Sequence, residues 1–367
     1  MAARIETSPT SKIDDSGALS RIYTPGVAED CRAIAEDPAT VRRLTVRGNS
    51  VAVISDGSAV LGLGDIGPRA ALPVLEGKAA LYKRFAGIDA WPLCLDAREV
   101  PEMTRCISAV CSGFGGVSLE DIAAPRCFDL ERQLRDALDV PVFHDDQHGT
   151  AVVVLAALLN ALRVTGKALA DVQIVLSGAG AAGTAIVRLL QAAGAAQIAV
   201  FDSHGVLHPD RDDLAAEKEW LARHTQPGSP GTGPGQALDG ADVFIGVSAA
   251  GILGEEDVAG MADGAIVFAL ANPDPEIDPD IARRHAAVVA TGRSDQPNQI
   301  NNVLAFPGIF RGLLDGDATD LSVAAQCAAA QAIARAVADD RLDTGHIVPD
   351  VFDDNLVPAV ARAVMDA

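Results

Sequence analysis

One glycine-rich turn restricts the fold of this chain more than any other feature. An apolar run typical of a buried strand covers residues 172–177, Gly178, Gly180 and Gly183 follow it, and a helical pattern runs from Ala185 to Ala193. Further apolar runs, separated by loops and helical patterns, lie at residues 198–202, 243–248, 266–270 and 287–290. Strands that alternate with helices predict an α/β fold with a parallel, doubly wound sheet.

The turn fits the pattern G-x-G-x-x-G, which is weak alone but stronger between a strand and a helix. Gly178 allows the tight turn, Gly180 lets the backbone approach a pyrophosphate, and Gly183 lets the helix pack closely. Ala181 and Ala182 lie at the helix start, where free N–H groups bind phosphate. The sequence therefore predicts a Rossmann-type dinucleotide site, although a glycine-rich turn without a ligand is the alternative.

Three more positions complete the predicted cofactor site. Asp202 ends the next strand about 20 residues after the turn, where a carboxylate accepts from ribose hydroxyls and favours NAD over NADP. A nearby cation can override that preference. Ser248 ends a later strand at the ligand crevice, and Thr150 begins the approach to the cofactor-binding half.

A concentration of ionisable residues lies upstream, in Pro141-Val-Phe-His-Asp-Asp-Gln-His-Gly-Thr150. Asp145 and Asp146 follow an apolar run that ends like a strand, and a helix-like stretch comes next. His144 and His148 are four residues apart, which would suit zinc on a helix. The segment is a turn and lacks the glutamate of HExxH, so we interpret both histidines as supporting residues.

A second carboxylate pair, Glu120 and Asp121, lies beside another apolar run. Alone it is typical of a solvated helix start. Together with Asp145 and Asp146 it offers enough oxygen ligands for Mg²⁺ or Mn²⁺, which prefer carboxylates and water.

Three other residues have both a structural and a chemical interpretation. Lys78 follows a glycine at a predicted helix start; it is a surface lysine by default, but desolvation or a divalent cation would make it a base. Tyr23, in a Pro-Gly turn, is a packing residue or a proton donor. Asn272 is held out of a helix by Pro273, and its amide binds a substrate oxygen or belongs to an ordinary turn.

Charge and length limit the function classes. The 367 residues predict two domains, and 29 Lys+Arg against 50 Asp+Glu give a net charge of −21. That charge argues against nonspecific binding to nucleic acid or to anionic membranes. We find no apolar leader and no uncharged apolar stretch long enough to span a bilayer, so we expect a cytoplasmic protein. The Pro/Gly-rich segment 224–236 predicts a flexible surface loop.

A resemblance to a known family joins these motifs. In chain order, SRIYTPGVA, VLGLGDIGP, LPVLEGK, LEDI, FHDDQHGTA, GAGAAG, ANP and QINNVLAFPGIF resemble the malic enzymes of the short bacterial type, from about Ser20 to Gly312. The resemblance implies oxidative decarboxylation of L-malate to pyruvate and CO2 with NAD or NADP and Mg²⁺ or Mn²⁺. It also implies a homodimer.

The resemblance assigns roles residue by residue. Tyr23 resembles the general acid and Lys78 the general base, while Asp145 resembles the carboxylate that positions the lysine. The metal ligands would be Glu120, Asp121 and Asp146, and the substrate amides Asn272 and Asn302, with Asn301 beside them. The sequence departs from the larger members of the family at one point. Those members bind malate with an arginine just before the segment that resembles LGLGD, whereas Asp56-Gly-Ser-Ala-Val60 contains none.

We therefore expect an N-terminal α/β substrate and metal domain at 1–150, a Rossmann-type domain at 151–310, and C-terminal helices at 311–367 that pack back on the body. Three rival functions remain open. They are another NAD(P)-dependent 2-hydroxy-acid or amino-acid dehydrogenase, a catalytically silent dinucleotide-binding regulator, and a zinc hydrolase built on His144 and His148.

Overall fold

A four-stranded parallel sheet organises the first part of the chain. The computed structural model describes residues 3–60, 62–226 and 233–367. The strands are β1 (Ser50–Ser55), β2 (Asp89–Cys94), β3 (Val117–Leu119) and β4 (Val142–His144), in the order β2-β1-β3-β4. The helices are α1 (Ser16–Ile22), α2 (Val27–Glu36), α3 (Val41–Leu44), α4 (Pro68–Ala86), α5 (Val100–Val110) and α6 (Arg126–Ala137), with 3₁₀ turns at Pro38–Thr40, Val46–Asn49 and Cys111–Gly113.

A six-stranded sheet organises the second part, in the order β10-β9-β8-β5-β6-β7. Its strands are β5 (Gln173–Ser177), β6 (Gln197–Asp202), β7 (Gly205–Val206), β8 (Val243–Gly246), β9 (Ile266–Ala269) and β10 (Val288–Thr291). All pairs are parallel except β6 with β7. Because β5 lies between β6 and β8, the strand order reverses there and opens a crevice at the strands' carboxyl ends. The predicted doubly wound sheet is confirmed.

The helices of the second part cover this sheet and return to the first. They are α7 (Thr150–Thr165), α8 (Ala181–Ala192), α9 (Ala216–His224), α10 (Pro234–Ala237), α11 (Glu255–Ala259), α12 (Pro279–Ala282), α13 (Phe306–Asp315), α14 (Val323–Arg335) and α15 (Leu356–Met365). A 3₁₀ turn covers Asn302–Leu304. In the predicted loop 224–236, positions 227–232 lie outside the described residues.

One local prediction was wrong, and one alternative interpretation does not hold. Lys78 does not lie at a helix start, because α4 begins at Pro68 and continues through Pro73. A proline one turn into a helix mimics a boundary in sequence. Glu120 and Asp121 do not start a solvated helix; they follow β3 and are buried.

The segment 145–165 does not contradict the expectation about uncharged apolar stretches, because it contains Asp145, Asp146 and Arg163. It is long and apolar enough to cross a membrane by length and composition, with a mean hydropathy of 1.5. Within the fold, however, 67% of that stretch is buried, and α7 packs against α8 and α14. The stretch therefore has the position of a core helix.

One hydrophobic core joins the two sheets and the C-terminal helices. Phe310 on α13 lies between two aromatic rings of the first part, with ring centroids 5.4 Å from Tyr82 and 5.5 Å from Phe143. An added Cβ on Gly116 would lie 2.8 Å from the Phe310 ring, so the backbone approaches that ring closely. The C-terminal helices therefore fix the first sheet relative to the second.

This packing predicts that Phe310→Ala lowers the free energy of unfolding by about 3–5 kcal/mol, because the truncation leaves a cavity among fully buried rings. Chemical denaturation measures the change. Phe352→Ala is the matched control, since its side chain is 67% exposed, and it should change stability by only about 0.5 kcal/mol. Equal losses in the two variants would contradict this account of the core.

Candidate active site

A buried lysine lies where the carboxyl ends of the first sheet meet helix α4. The Lys78 side chain is 6% exposed, and its Nζ donates to Asp145 Oδ2 at 2.6 Å and to Glu120 Oε2. The Nζ also lies 4.6 Å from the centroid of the Phe306 ring. Two carboxylates and an aromatic face thus hold one ammonium group away from bulk water.

The backbone after β4 presents Asp145 to this lysine. Residues Asp145–Gly149 form a single π-helical turn before α7 begins at Thr150, a geometry that is frequent at functional sites. Gly149 is required here, because an added Cβ would lie 2.1 Å from Asp145 Oδ1. Asn302 donates from Nδ2 to Asp145 Oδ2 at 2.9 Å and to Thr150 Oγ1 at 3.1 Å.

The three predicted metal ligands converge beside the lysine. One carboxylate oxygen each from Glu120, Asp121 and Asp146 lies within 4.8 Å of the others. Asp121 has a left-handed backbone, φ +53°, and its N–H donates to Asp146 Oδ2 at 3.0 Å. Lys78 contacts Glu120 and Asp145, and Asp121 and Asp146 lie beside Glu120. A hard divalent cation would compensate this buried negative charge, and an all-oxygen set suits Mg²⁺ or Mn²⁺.

The protonation of the site follows from its crowding. Burial acts to lower the pKa of Lys78, but the charges and hydrogen bonds of Asp145 and Glu120 outweigh it and raise that pKa above its ordinary value. Burial raises the pKa of Glu120 well above its ordinary range, and the neighbouring aspartates add to the rise against the effect of Lys78. Without a cation, Lys78 is therefore charged and Glu120 retains a proton readily.

The two histidines at the turn after β4 are buried or half-buried, and neither forms a hydrogen bond with Lys78. His148 Nε2 lies 2.6 Å from Glu131 Oε1, and Gln147 donates to Glu131 Oε2 at 2.9 Å. Burial opposes the charge on both partners, yet their attraction raises the pKa of His148 and lowers that of Glu131. His144 is fully buried. In the described ranges no histidine belongs to a group that could hold a metal, so this geometry does not favour the zinc alternative.

The two tyrosines have opposite environments. Tyr23 ends α1 with its side chain 67% exposed, and no hydrogen bond joins its phenol to another described residue. Tyr82 lies one turn after Lys78 on α4, is fully buried, and donates to Ser118 Oγ at 3.2 Å. Burial raises the pKa of Tyr82 well above its ordinary value. The i, i+4 spacing from Lys78 was the sequence signal for its position.

Two arginines lie near the segment that lacks the expected one. Arg126 donates to Asp56 Oδ2 at 2.6 Å, and Arg98 Nη1 lies 3.7 Å from the same oxygen. Asp56 also accepts from the N–H and hydroxyl of Ser58. The arginines therefore neutralise a fully buried aspartate, and their distance of 42 and 70 residues from Asp56 in the sequence concealed the pairing.

A cavity of about 660 Å³ lies at the carboxyl end of β5. Gly178, Gly180, Asp202 and Ser248 line it, together with Ala124, Pro125 and Phe128 from the first part of the chain. The remaining predicted cofactor residues do not line this cavity; they are Thr150, Ala181, Ala182 and Gly183.

The three glycines of the turn satisfy different constraints. Gly178 has φ +115°, in which a side chain is disfavoured. An added Cβ on Gly183 would lie 1.8 Å from the Gly178 carbonyl oxygen. Gly180 has no heavy atom within 4 Å of its virtual Cβ; its surroundings are open to a ligand.

Asp202 is not a free ribose acceptor in this arrangement. Arg211 donates to both of its oxygens, at 2.9 and 3.1 Å, and Lys218 donates to Oδ2 at 2.6 Å. Burial opposes the charge of Asp202, but these donors and the His204 N–H lower its pKa to about 2. Lys218 lines the cavity as well. The sequence did identify Asp202 but missed both cations, which lie 9 and 16 residues further on.

The predicted substrate amides occupy three environments. Asn302 contacts Asp145, as above. Asn301 accepts from the Val303 N–H at 3.0 Å and so caps the 3₁₀ turn. Asn272 is exposed in the loop after β9, and its carbonyl oxygen lies 2.7 Å from where a Cβ on Gly62 would be. That loop therefore contacts the first part of the chain.

The fold and this site define a class, an NAD(P)-dependent oxidoreductase with a buried lysine next to a set of carboxylates. Residues 2–135 match the family described as malic enzyme, N-terminal domain, and residues 147–367 match malic enzyme, NAD binding domain. The chain belongs to the malic enzyme family and is a decarboxylating malate dehydrogenase that uses NAD or NADP.

Individual relatives agree. An NAD-dependent malic enzyme of Geobacillus stearothermophilus is 53% identical over 100% of this chain and 77% of its own length. A bifunctional malic/malolactic enzyme of Bacillus subtilis is 48% identical over 99% of this chain and 89% of its own length. The crystal structure of an NAD-dependent malic enzyme from Thermotoga maritima superposes with a TM-score of 0.93 at 45% identity. The match covers 99% of this chain and 96% of that one. Relatives named NAD-dependent and NADP-dependent both occur at 45% identity, with this chain spanning 50% of their length.

Proposed function

We propose that this enzyme oxidises L-malate at a single site formed by Lys78 and the carboxylates around it. The observation that carries the proposal is the position of the Lys78 ammonium between Asp145 and Glu120, directly beside the three convergent oxygen ligands. A base, a metal site and a cofactor cavity at the carboxyl ends of two sheets are what oxidation and decarboxylation of a 2-hydroxy acid require.

Glu120, Asp121 and Asp146 would hold Mg²⁺ or Mn²⁺. When bound, the cation supplies Lewis-acid polarisation of the oxygen on C2 and charge compensation for the carboxylates. Lys78 would take the hydroxyl proton, and the nicotinamide cofactor, when bound, would accept the hydride from C2. To accept that proton, Lys78 must first lose its own. The charge of a bound cation would favour that loss, whereas the ion pair with Asp145 opposes it.

Asn302 orients the base through Asp145, and Asn272 would bind a substrate oxygen from the other side of the cleft. Asn301 serves this arrangement by capping the turn that presents Asn302. After CO2 is lost, Tyr23 would return a proton to C3. Its exposed position means that another surface has to cover it for that step.

A second subunit is the surface that we propose. Helix α2 has no buried residue, and α1 buries only Ala18. Leu19 and Ile22 are 52% and 44% exposed on the same segment. Apolar faces left open in this way mark protein interfaces, and symmetric dimers are the commonest assembly. We propose that the enzyme is a homodimer in which Tyr23 of each subunit enters the active site of the other. We also propose that this dimer acts in the cytoplasm.

The cofactor preference follows from the charges around Asp202. Asp202 and Asp213 carry two negative charges, and Arg211 and Lys218 carry two positive charges. Arg211 and Lys218 thus offset the charges of Asp202 and Asp213, while Glu217 also lines the cavity. Lys218 can exchange its bond to Asp202 for one to a 2′-phosphate. We propose that the enzyme binds NADP as well as NAD.

The role of Lys78 predicts the result of a malate assay. The wild-type enzyme should reduce NAD or NADP with release of CO2, and only with Mg²⁺ or Mn²⁺ present. Lys78→Ala should lower kcat by about 10²–10⁴-fold through loss of the base, while KM for NAD changes little. Lys83→Ala, on the same helix and 63% exposed, is the control. Near wild-type turnover of the Lys78 variant would refute the assignment, and nucleotide reduction without CO2 would favour another 2-hydroxy-acid dehydrogenase.

The charge balance at Asp202 predicts the effect of Lys218→Ala. Loss of the ammonium leaves a net negative site, so the Kd of NADP should rise about 10–100-fold, as for a lost charged hydrogen bond, with little change for NAD. Calorimetry measures both. The matched control is Arg223→Ala, a cation on the same helix that pairs with Glu219. Equal weakening of both nucleotides would contradict the phosphate role.

Subunit complementation tests the place of Tyr23. Homodimers of Tyr23→Phe and of Lys78→Ala should both be nearly inactive. A heterodimer purified through two different tags should recover about half of the wild-type kcat, since one of its two sites has both groups. A wild-type and Lys78→Ala heterodimer controls for assembly. If the mixed heterodimer stays as inactive as its parents, both groups come from one subunit.

A further inference from the structure

A buried carboxylate that the mechanism above does not use lies between the two loops at the crevice. Glu276 follows β9 by seven residues and has no exposed surface. Its Oε1 accepts from the Ser248 N–H at 2.9 Å and from the Ser248 hydroxyl at 3.3 Å, and its Oε2 accepts from the Ala271 N–H at 3.0 Å. One side chain therefore joins the loop after β8 to the loop after β9.

The packing around this carboxylate leaves it little freedom. A Cβ on Gly246, the last residue of β8, would lie 2.3 Å from Glu276 Cδ. Backbone hydrogen bonds also join the two loops: the Gly251 N–H donates to the Pro275 carbonyl, and the Leu253 N–H donates to the Glu276 carbonyl. Burying a carboxylate costs free energy unless it is fully hydrogen-bonded, and no Lys, Arg or His within residues 3–60, 62–226 and 233–367 forms an ion pair with it.

Each of the two loops carries a residue at the reaction site. Ser248 lines the cofactor cavity and shares a 3.0 Å hydrogen bond with Ser177 at the end of β5, immediately before the glycine turn. Ala271 precedes Asn272, which the proposed function uses as a substrate amide. The same loop contacts Gly62 of the first part of the chain.

We propose that Glu276 is a positioning residue that couples the cofactor loop at Ser248 to the substrate loop at Asn272. Both of its oxygens receive N–H donors from different loops, so neither loop can shift without breaking a buried hydrogen bond. The part that concerns malate rests on the proposed function, whereas the part that concerns nucleotide binding does not.

Glu276→Gln is the direct test, because it keeps the size of the side chain and replaces one acceptor by an NH2 group. That NH2 would face the N–H of Ser248 or of Ala271, which leaves one donor unsatisfied. We expect the Kd of NAD, measured by calorimetry on the full-length protein, to rise about tenfold, and KM for malate to rise in the same variant. Asp278→Asn, two residues away at the cap of α12, should change neither quantity.

A purely structural role makes a different prediction. It would lower the melting temperature of Glu276→Gln while the folded protein kept the wild-type Kd and KM, and that result would overturn the proposal. If the Gln variant does not fold, Glu276→Asp keeps the charge but is too short to reach both loops. An unchanged Kd for NAD in the Asp variant would overturn the proposal equally.

Two further outcomes separate this proposal from the function. Ser248→Ala and Glu276→Gln should combine less than additively in Kd, because both act through one contact; strict additivity would contradict the coupling. If the Kd of NAD shifts as expected but KM for malate does not, Glu276 still positions the cofactor loop. The assignment of Asn272 to the substrate would then fail.

Discussion

The ion pair between Lys78 and Asp145 is the interaction on which the site depends. A buried ammonium group is tolerated only with a partner, and here the partner comes from the turn after β4, with Glu120 from the turn after β3. The pair forces α4 against the carboxyl edge of the first sheet. Asn302, more than 150 residues further on, is bonded to the same carboxylate, so the position of the C-terminal helices is part of the same arrangement.

Negative charge is arranged at two places with opposite consequences. Around Lys78, four carboxylates lie close together, and a divalent cation would balance their combined negative charge. Around Asp202, Arg211 and Lys218 pair with the carboxylate, and we propose that this pairing lets the ribose end of the cavity accept a phosphate. The net charge of −21 describes neither place, because the chemistry at each depends on which of its charged groups are buried and which are paired.

The sequence predicted elements that depend on local pattern and missed those that depend on distant contacts. Five of the six described strands of the second sheet were found within one or two residues, since apolar runs between turn residues need no tertiary information. The two-residue strand β7 was not predicted. Pro73 hid the true start of α4 at Pro68. Asp202 was found as the end of a strand, but Arg211 and Lys218 were not. Glu131 and Glu276 belong to no motif, and the spacing of Tyr82 from Lys78 was not used. The domain bounds at residues 150 and 310 and the site roles remain predictions.

Direct binding of Mn²⁺ tests the central claim, that Glu120, Asp121 and Asp146 form a metal site next to Lys78. Titration followed by electron paramagnetic resonance should detect one tight site per chain in the wild type. In Asp146→Asn, with the fold verified by circular dichroism, affinity should fall by at least about 100-fold, since loss of a ligand exceeds the effect of an outer-shell partner. Unchanged Mn²⁺ affinity in that variant would place the metal elsewhere and contradict the account.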